Sequence, residues 1–295
     1  MSVAARRAAV LGKPIAHSLS PVIHNAGYAA AGLAGWSYTR IECAAAELPD
    51  LVAGLGPEWA GLSVTMPGKE VALAVAAEVS PVAAAVGAAN TLVRRPDGTW
   101  YADNTDVSGM VDVLTTAGVR EGGLGVVSGV GEVGVVPGAG GAVTVLGAGG
   151  TARAALAAAA RLGATEVSVV ARRTAAIDEL APVATALGLT LTAVSWTDAA
   201  ALADANLLIS TVPKGAADEL AGVVRWRPGT VLFDAIYDPW PTPLAASAAA
   251  AGCRVVSGLD LLLAQAVGQF EQFTGVPAPR SAMAAALTAA RAPRQ

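Results

Sequence analysis

Charged and aromatic side chains are both scarce in this chain. Charged residues make up 14% and aromatic residues 4% of its 295 residues, and the net charge is −4. The chain therefore lacks the basic surface that a phosphate backbone requires, and its rings are too few to stack bases along a strand. A nucleic-acid partner is excluded.

Long apolar helical runs are missing, although 54% of the residues are hydrophobic. Most of this content is alanine, and the two longest candidate runs, residues 133–152 and 180–197, are interrupted by proline and glycine. Neither supplies the ~20 continuous apolar residues that a helix needs to cross a bilayer. Arg6 and Arg7 are not followed by the apolar core of a secretory signal. These absences predict a cytoplasmic protein without a membrane partner.

Cysteine and histidine are equally rare, with two residues of each. Cys43 and Cys253 are far apart in the sequence and match neither a disulfide framework nor a zinc knuckle. His17 and His24 supply too few ligands for a metal site, so both are interpreted as structural and no metal is expected. Two buried thiols are typical of a reducing compartment.

Short apolar runs alternate with alanine-rich helical patterns along the chain. From residue 143 the order is strand, helix, strand, which predicts a parallel sheet covered by helices on both faces. A single helix is expected over residues 175–187. Residues 119–141 are dominated by glycine and valine and predict a linker or a long loop. The pattern indicates two α/β domains.

Three glycine-rich segments are similar to the turn that binds the pyrophosphate of a dinucleotide: residues 129–134, 138–141 and 147–152. Such a turn works between a strand and a helix, where N–H groups at the helix N-terminus meet the phosphates. The third segment has a strand pattern before it and a helical pattern after it, so we predict that it binds the cofactor and assign the other two to a loop. The residues of this turn are Gly147, Ala148, Gly149, Gly150, Thr151 and Ala152.

The choice between NAD and NADP depends on the end of the next strand, roughly 20–25 residues after the turn. An NAD site places a carboxylate there for the ribose 2′-hydroxyl, whereas this chain has the segment Ala171-Arg172-Arg173-Thr174. Two guanidinium groups can bind a 2′-phosphate through charge-assisted hydrogen bonds. NADP(H) is therefore the predicted cofactor; the alternative explanation is a pair of solvated surface arginines.

Lysine is the rare basic residue, with only three among 19 lysines and arginines. Lys69 follows the end of a strand pattern, whereas Lys13 and Lys214 are interpreted as solvated. Reduction of a ketone needs a proton donor beside the developing alkoxide, and an ammonium gives up its proton more readily than a guanidinium. Lys69 is therefore a candidate for proton transfer, and a surface lysine at a helix start is the alternative.

Hydroxyl side chains precede the first helical pattern. Ser18 and Ser20 are two residues apart, so both hydroxyls face one side of an extended segment. Together with Thr65, at the end of another strand, they can bind a carboxylate through neutral hydrogen bonds. Capping of the helix N-terminus is the alternative role for Ser20.

Six motifs occur in one order along the chain. They are Gly12–Asn25; Gly61–Lys69; Gly87–Thr91 with Asp103–Asp106; Gly147–Arg153; Asp234–Pro239 with Thr242–Leu244; and Gly258 with Gln265. Their types and order resemble the shikimate dehydrogenase family over essentially the whole chain apart from residues 119–141. The resemblance implies reversible NADPH-dependent reduction of 3-dehydroshikimate to shikimate, in the shikimate pathway of aromatic amino acid biosynthesis.

The resemblance also implies roles for individual residues. It makes Lys69 and Asp106 the catalytic pair. The residues implied to bind the substrate are Ser18, Ser20, Thr65, Asn90, Asp106, Tyr237 and Gln265. The residues implied to bind the cofactor, besides the glycine turn and Ala171–Thr174, are Val212, Ala235 and Gly258.

The resemblance completes the expected architecture, because Gln265 in the last long helix returns to the substrate side. We expect an N-terminal α/β substrate-binding and catalytic domain of residues 1–110 with 262–295. Residues 111–261 are expected to form a Rossmann-type, doubly wound parallel-sheet NADP domain, with 119–141 as a linker or insertion and a cleft between the domains. The protein is expected to be a monomer or homodimer.

Two other functions stay open. A quinate/shikimate or aminoshikimate dehydrogenase that uses NAD would place an acid after the second strand of the cofactor domain, where this chain has arginine. A non-catalytic member of the family, which binds a small molecule as a sensor or scaffold, would have no need of both Lys69 and Asp106.

Overall fold

The computed structural model describes residues 5–120, 142–198, 202 and 205–291. The chain divides into two compact units: unit 1 comprises Met1–Gly109 with Leu262–Gln295, and unit 2 comprises Met110–Leu261. Unit 1 is thus built from both ends of the chain and unit 2 from its middle. The glycine segments at 129–134 and 138–141, and nearly all of the expected loop at 119–141, lie outside the described residues.

Unit 1 contains a mixed six-stranded sheet. Its strands are β1 (Arg6–Gly12), β2 (Trp36–Glu42), β3 (Trp59–Val64), β4 (Glu78–Val79), β5 (Thr91–Arg94) and β6 (Trp100–Asp103). They lie in the order β2-β1-β3-β5-β6-β4. The pairs β1–β2, β1–β3 and β4–β6 are parallel, whereas β5 runs antiparallel to β3 and β6. The carboxyl ends of β1 and β3 therefore meet at one edge, where the Ser18 and Thr65 segments begin.

Five helices follow these strands in the first part of the chain. They are α1 (Ser20–Ala30), α2 (Leu48–Ala53), α3 (Val71–Ala74), α4 (Pro81–Val86) and α5 (Thr105–Thr116). Proline in the first turn of α1, α2 and α4 suits these positions, because the N–H that proline lacks has no helical partner there. Apolar side chains beneath α2, α3 and α4 form one buried cluster against the sheet.

Unit 2 contains a second six-stranded sheet, in which every pair is parallel. Its strands are β7 (Val143–Leu146), β8 (Glu166–Ala171), β9 (Thr190–Ser195), β10 (Leu207–Ser210), β11 (Val231–Asp234) and β12 (Arg254–Ser257). Their order is β12-β11-β10-β7-β8-β9, which is the doubly wound Rossmann arrangement. The order reverses between β7 and β10, and ligands bind at the carboxyl ends of the strands at such a point.

The helices of unit 2 correct one expectation. They are α6 (Gly150–Arg161), α7 (Ala175–Asp178), α8 (Ala181–Leu187) and α9 (Pro243–Ala250). The single helix predicted over residues 175–187 is wrong: it is two helices, interrupted at Glu179 and Leu180. Pro182 explains the break, because proline cannot donate to the preceding turn and is tolerated only in the first turn of a new helix.

Two further helices, α10 (Gly258–Thr274) and α11 (Arg280–Arg291), return the chain to unit 1. There α11 packs against α1. Gly61 of β3 lies against Phe273 of α10 so closely that a Cβ at position 61 would overlap the ring. Within the described ranges, none of the helices has the length and apolar character needed to cross a membrane.

Candidate active site

The closest charged contact in unit 1 joins Lys69 and Asp106. The Lys69 Nζ lies 2.6 Å from the Asp106 Oδ2, and the two side chains are 19% and 12% exposed. Lys69 lies in the turn after β3, where its carbonyl accepts a hydrogen bond from the Ala89 N–H at 2.8 Å. Asp106 lies in the first turn of α5, where free helical N–H groups favour a carboxylate. Different elements thus hold the two partners of a largely shielded ion pair.

The ion pair leaves donor capacity for a ligand. An ammonium has three N–H bonds, and Asp106 Oδ2 accepts one from Lys69. The remaining N–H bonds can reach a substrate oxygen, and the second carboxylate oxygen of Asp106 can accept a hydrogen bond from a hydroxyl. Lys69 and Asp106 together can therefore bind a carbonyl or alcohol oxygen and exchange a proton with it.

Hydrogen bonds fix the orientation of the Asn90 amide. Its Oδ1 accepts from the Thr105 N–H at 2.8 Å and from the Thr91 Oγ1 at 2.7 Å. A backbone N–H can only donate, so this side of the amide must be the oxygen. The Nδ2 has a single long contact, 3.5 Å to the Gln265 Oε1, while the Gln265 Nε2 donates to the Leu262 carbonyl. Asn90 thus offers a donor and Gln265 an acceptor.

Gln269 is a buried residue that the sequence reasoning missed. Its Nε2 donates to the Asn90 carbonyl at 3.0 Å and to the Thr91 Oγ1 at 3.1 Å, and its Oε1 accepts from the Ser63 Oγ at 2.6 Å. The available signal was spacing, because Gln269 lies one helical turn after Gln265 and on the same face. Gln269 therefore joins α10 to Ser63 of β3 and to the backbone of Asn90.

The hydroxyls of Ser18 and Ser20 lie together, with 3.3 Å between their Oγ atoms. The residue at the N-cap of α1 is Leu19, with no side-chain cap, so helix capping does not account for Ser20. Thr65 directly follows β3 and lies beside Gly12, the last residue of β1. A Cβ at Gly12 would overlap the Thr65 methyl group. The absence of that Cβ allows the two strand ends to approach.

His24, in α1, is fully buried. Its ring stacks on that of Tyr38, with 4.1 Å between centroids and 7° between planes. Burial lowers the pKa of His24 from 6.5 to about 3, and the neighbouring Gln269 side chain opposes this shift only in part. The histidine is therefore a neutral core residue, which fits the structural role expected of it, whereas His17 is exposed.

Stability is expected to fall on acidification because of His24. Between pH 6.5 and pH 3 the unfolded chain binds a proton at this residue that the folded chain does not, so the stabilisation is complete above pH 6.5 and is lost as the pH falls. From pH 7 to pH 5 the loss is about 2 kcal/mol. Urea unfolding at both values should show that His24→Gln loses this part of the pH dependence and His17→Gln keeps it. An unchanged pH dependence in His24→Gln would contradict the assignment.

The glycine turn of unit 2 connects β7 to α6. Gly147 has φ +102°, and a Cβ there would lie 2.7 Å from the Thr211 Oγ1, so this position requires glycine. Gly149 is the N-cap of α6, and at Gly149 and Gly150 a Cβ would meet open space. Ala148 lies between the first two glycines of the turn. The N–H groups of the first helical turn can hold an anion, as helix N-termini of this type do with a pyrophosphate.

Arg172 and Arg173 follow the end of β8, the strand paired directly with β7. Both side chains are exposed, whereas Ala171 before them is buried. In the described part of the chain neither arginine forms an ion pair. Thr174 occupies the N-cap position of α7 without a side-chain cap. Two guanidinium groups are thus available at the strand end next to the glycine turn, which fits a 2′-phosphate.

The other residues assigned to the cofactor lie after the neighbouring strand ends. Val212 follows β10, and its Cγ1 would lie 3.2 Å from a Cβ at Gly147. Gly258 begins α10 so close to the Ala235 carbonyl that a Cβ would overlap it, and Tyr237 lies 3.2 Å from the same point. The carboxyl ends of β7, β10, β11 and β12 therefore form one continuous edge in unit 2.

Comparison with known proteins identifies one family for the N-terminal and the C-terminal segments of the chain. Residues 10–92 match the model of the shikimate dehydrogenase substrate binding domain, and residues 258–288 match that of the shikimate 5'-dehydrogenase C-terminal domain. A shikimate dehydrogenase (NADP(+)) of Methylobacterium radiotolerans is 40% identical over 95% of each chain.

Solved structures agree with this match. The shikimate dehydrogenase of Mycobacterium tuberculosis superimposes with a TM-score of 0.83 and 48% identity, over 96% of this chain and 99% of that one. The shikimate 5-dehydrogenase of Thermus thermophilus, in complex with NADP(H) and shikimate, gives a TM-score of 0.78 at 28% identity, over 97% and 99%. They confirm the resemblance and the two-domain α/β fold expected from the sequence. The chain belongs to the shikimate dehydrogenase family.

Proposed function

We propose that this chain is an NADP-dependent shikimate dehydrogenase that reversibly reduces 3-dehydroshikimate to shikimate. The observation that carries the proposal is the shielded Lys69–Asp106 ion pair, 2.6 Å long, in the unit that also holds the paired serine hydroxyls and the Asn90 donor. The relative from Methylobacterium radiotolerans bears this name, and the Thermus thermophilus structure contains both shikimate and NADP(H).

The side chains of unit 1 match the chemistry of a polyhydroxylated acid. We assign the substrate carboxylate to Ser18, Ser20 and Thr65, whose neutral hydroxyls donate hydrogen bonds. The ring hydroxyls are assigned to three groups that can form a further hydrogen bond: the Asn90 Nδ2, the Gln265 Oε1 and the Asp106 carboxylate. Tyr237, which follows β11, is assigned to the substrate by the family motif.

Lys69 is assigned the proton transfer. When bound, NADPH supplies the hydride that reduces the carbonyl carbon. The Lys69 ammonium donates a proton to the carbonyl oxygen and recovers it from water, and in the reverse direction the neutral amine accepts it. Asp106 orients the ammonium through the 2.6 Å contact. Proton transfer by a positioned side chain accounts for about 100- to 10,000-fold in rate.

The cofactor is assigned to unit 2. The turn Gly147–Ala152 offers the N–H groups for the pyrophosphate, and Arg172 and Arg173 offer two guanidinium groups for the 2′-phosphate of NADP. Val212, Ala235 and Gly258 lie at the same sheet edge and are assigned to the nicotinamide half. The two free, buried cysteines suit a reducing cytoplasm, which we propose as the location, with the enzyme acting as a monomer or homodimer.

An assay with two cofactors and two substrates tests the proposal. Purified protein is mixed with shikimate or quinate and with NADP+ or NAD+, and the absorbance of the reduced nicotinamide is followed. Shikimate with NADP+ should give the highest kcat/KM of the four combinations. A preference for NAD+ or for quinate would favour the quinate/shikimate alternative, and absence of turnover with any combination would favour the non-catalytic one.

A further inference from the structure

The edge strand β2 contacts the backbone of Ser18 through an arginine. Both the Nε and the Nη2 of Arg40 donate hydrogen bonds to the Ser18 carbonyl, the first at 2.8 Å. Tyr38 lies two residues earlier on β2 and hence on the same side of the strand, where its hydroxyl donates to the Ser63 Oγ. The strand β2 thus contacts both the backbone of Ser18 and the side chain of Ser63.

The strand that carries Arg40 is held firmly against α1. The Asn25 side chain accepts a hydrogen bond from the Tyr38 N–H and donates one to the Tyr38 carbonyl, both at 2.9 Å. Arg40 also pairs with Val10 of β1 in the parallel ladder. The backbone that carries Arg40 is therefore held from two sides. Less conformational entropy is then lost when the guanidinium binds the Ser18 carbonyl.

Arg40 is an exposed residue, and no carboxylate of the described residues forms an ion pair with it. By contrast, Ser18, Ser20 and Thr65 are neutral and offer a carboxylate hydrogen bonds but no positive charge. The Ser18 carbonyl would itself present a partial negative charge beside a bound anion, and the guanidinium covers that oxygen.

We propose that Arg40 is a specificity-determining positioning residue for the substrate carboxylate. Arg40 holds the backbone of Ser18 so that the Ser18 hydroxyl faces the anion. Its guanidinium also places a positive charge at the carbonyl of the residue that carries this hydroxyl. The charge favours an anionic substrate over a neutral analogue without a direct contact. This inference rests on the proposed function, since it requires that Ser18 binds the carboxylate of shikimate.

Replacement of Arg40 by glutamine tests the inference. Arg40→Gln should raise the KM for shikimate about fivefold to tenfold, a typical effect of a partly screened charge, and should leave kcat and the KM for NADP+ within about twofold. Arg40→Lys keeps the charge and should recover most of the lost affinity. Raising the ionic strength from about 0.05 M to about 0.5 M should raise the KM of the wild type more than that of Arg40→Gln, because salt screens exposed charges.

Two controls separate a charge effect from general damage. Arg6 donates from its Nη1 to the Pro57 carbonyl at 3.1 Å, at the opposite end of β1, so Arg6→Gln removes the same charge and the same kind of bond away from the site. It should leave the KM for shikimate unchanged. The methyl ester of shikimate lacks the negative charge, so Arg40→Gln should lower its kcat/KM much less than that of shikimate.

The outcomes distinguish this inference from the function on which it rests. An active wild type with an unchanged KM for shikimate in Arg40→Gln would overturn the inference alone. Equal losses for shikimate and its methyl ester, or an Arg40→Lys variant as impaired as Arg40→Gln, would also overturn it. A wild type that did not oxidise shikimate would overturn the proposed function together with the inference.

Discussion

Replacement of Lys69 by alanine is expected to lower kcat for shikimate oxidation by about 100-fold or more. The variant removes the only ammonium within ion-pair distance of Asp106 in the described part of the chain, and with it the donor that we propose for the substrate oxygen. The Kd for NADPH should not change, because the groups assigned to the cofactor lie in unit 2. Steady-state kinetics and fluorescence titration with NADPH measure the two quantities.

Two variants serve as controls for Lys69. Lys214→Ala removes an exposed lysine of unit 2 and should keep the wild-type kcat. Lys69→Arg keeps a positive charge beside Asp106 but holds its proton too tightly to transfer it, so kcat should stay close to that of Lys69→Ala. A Lys69→Ala variant with the wild-type rate would show that proton transfer depends on another group.

Replacement of Arg172 and Arg173 together by alanine is expected to raise the Kd for NADP+ by about 10- to 100-fold, the usual range for lost charge-assisted hydrogen bonds. The Kd for NAD+ should change little, because NAD has no 2′-phosphate. Both arginines follow β8 next to the glycine turn and are exposed without an ion pair in the described residues. Titration with each cofactor gives the two constants directly.

The matched control removes the same charge elsewhere in unit 2. Arg161 and Arg225 are both exposed, and their joint replacement by alanine should leave the two dissociation constants at their wild-type values. Equal weakening of NADP+ and NAD+ by the Arg172 and Arg173 replacements would contradict recognition of the 2′-phosphate, and would assign these arginines to a part that both cofactors share.

Motif order predicts the family and the α/β fold, because each motif combines a backbone requirement with a chemical group. The turn at residue 147 is an example: only glycine adopts its backbone conformation easily, and the strand before it and the helix after it can be recognised from local patterns. Lys69 is informative for a similar reason, since this chain otherwise uses arginine. Such local signals sufficed to select the candidate site, whose individual roles stay predictions.

Contacts between distant parts of the chain could not be predicted in this way. The orientation of the Asn90 amide depends on Thr105, and the position of Ser18 depends on Arg40, which is 22 residues away. A guanidinium that binds a backbone carbonyl has no sequence signature, because every residue has such a carbonyl. The break before α8 was missed for another reason: Pro182 is compatible both with a kinked helix and with a new helix start.

The construction of unit 1 from both ends of the chain determines when its core can form during synthesis. Gly61 packs against Phe273, Ser63 binds Gln269, and α1 packs against α11, so the first 109 residues leave the ribosome without these partners. The middle of the chain, which carries the complete parallel sheet, emerges earlier than the last helices and can fold as a unit. Completion of unit 1 is therefore among the last events of biosynthesis, and a nascent chain that ends at Leu261 contains all of unit 2 but an incomplete unit 1.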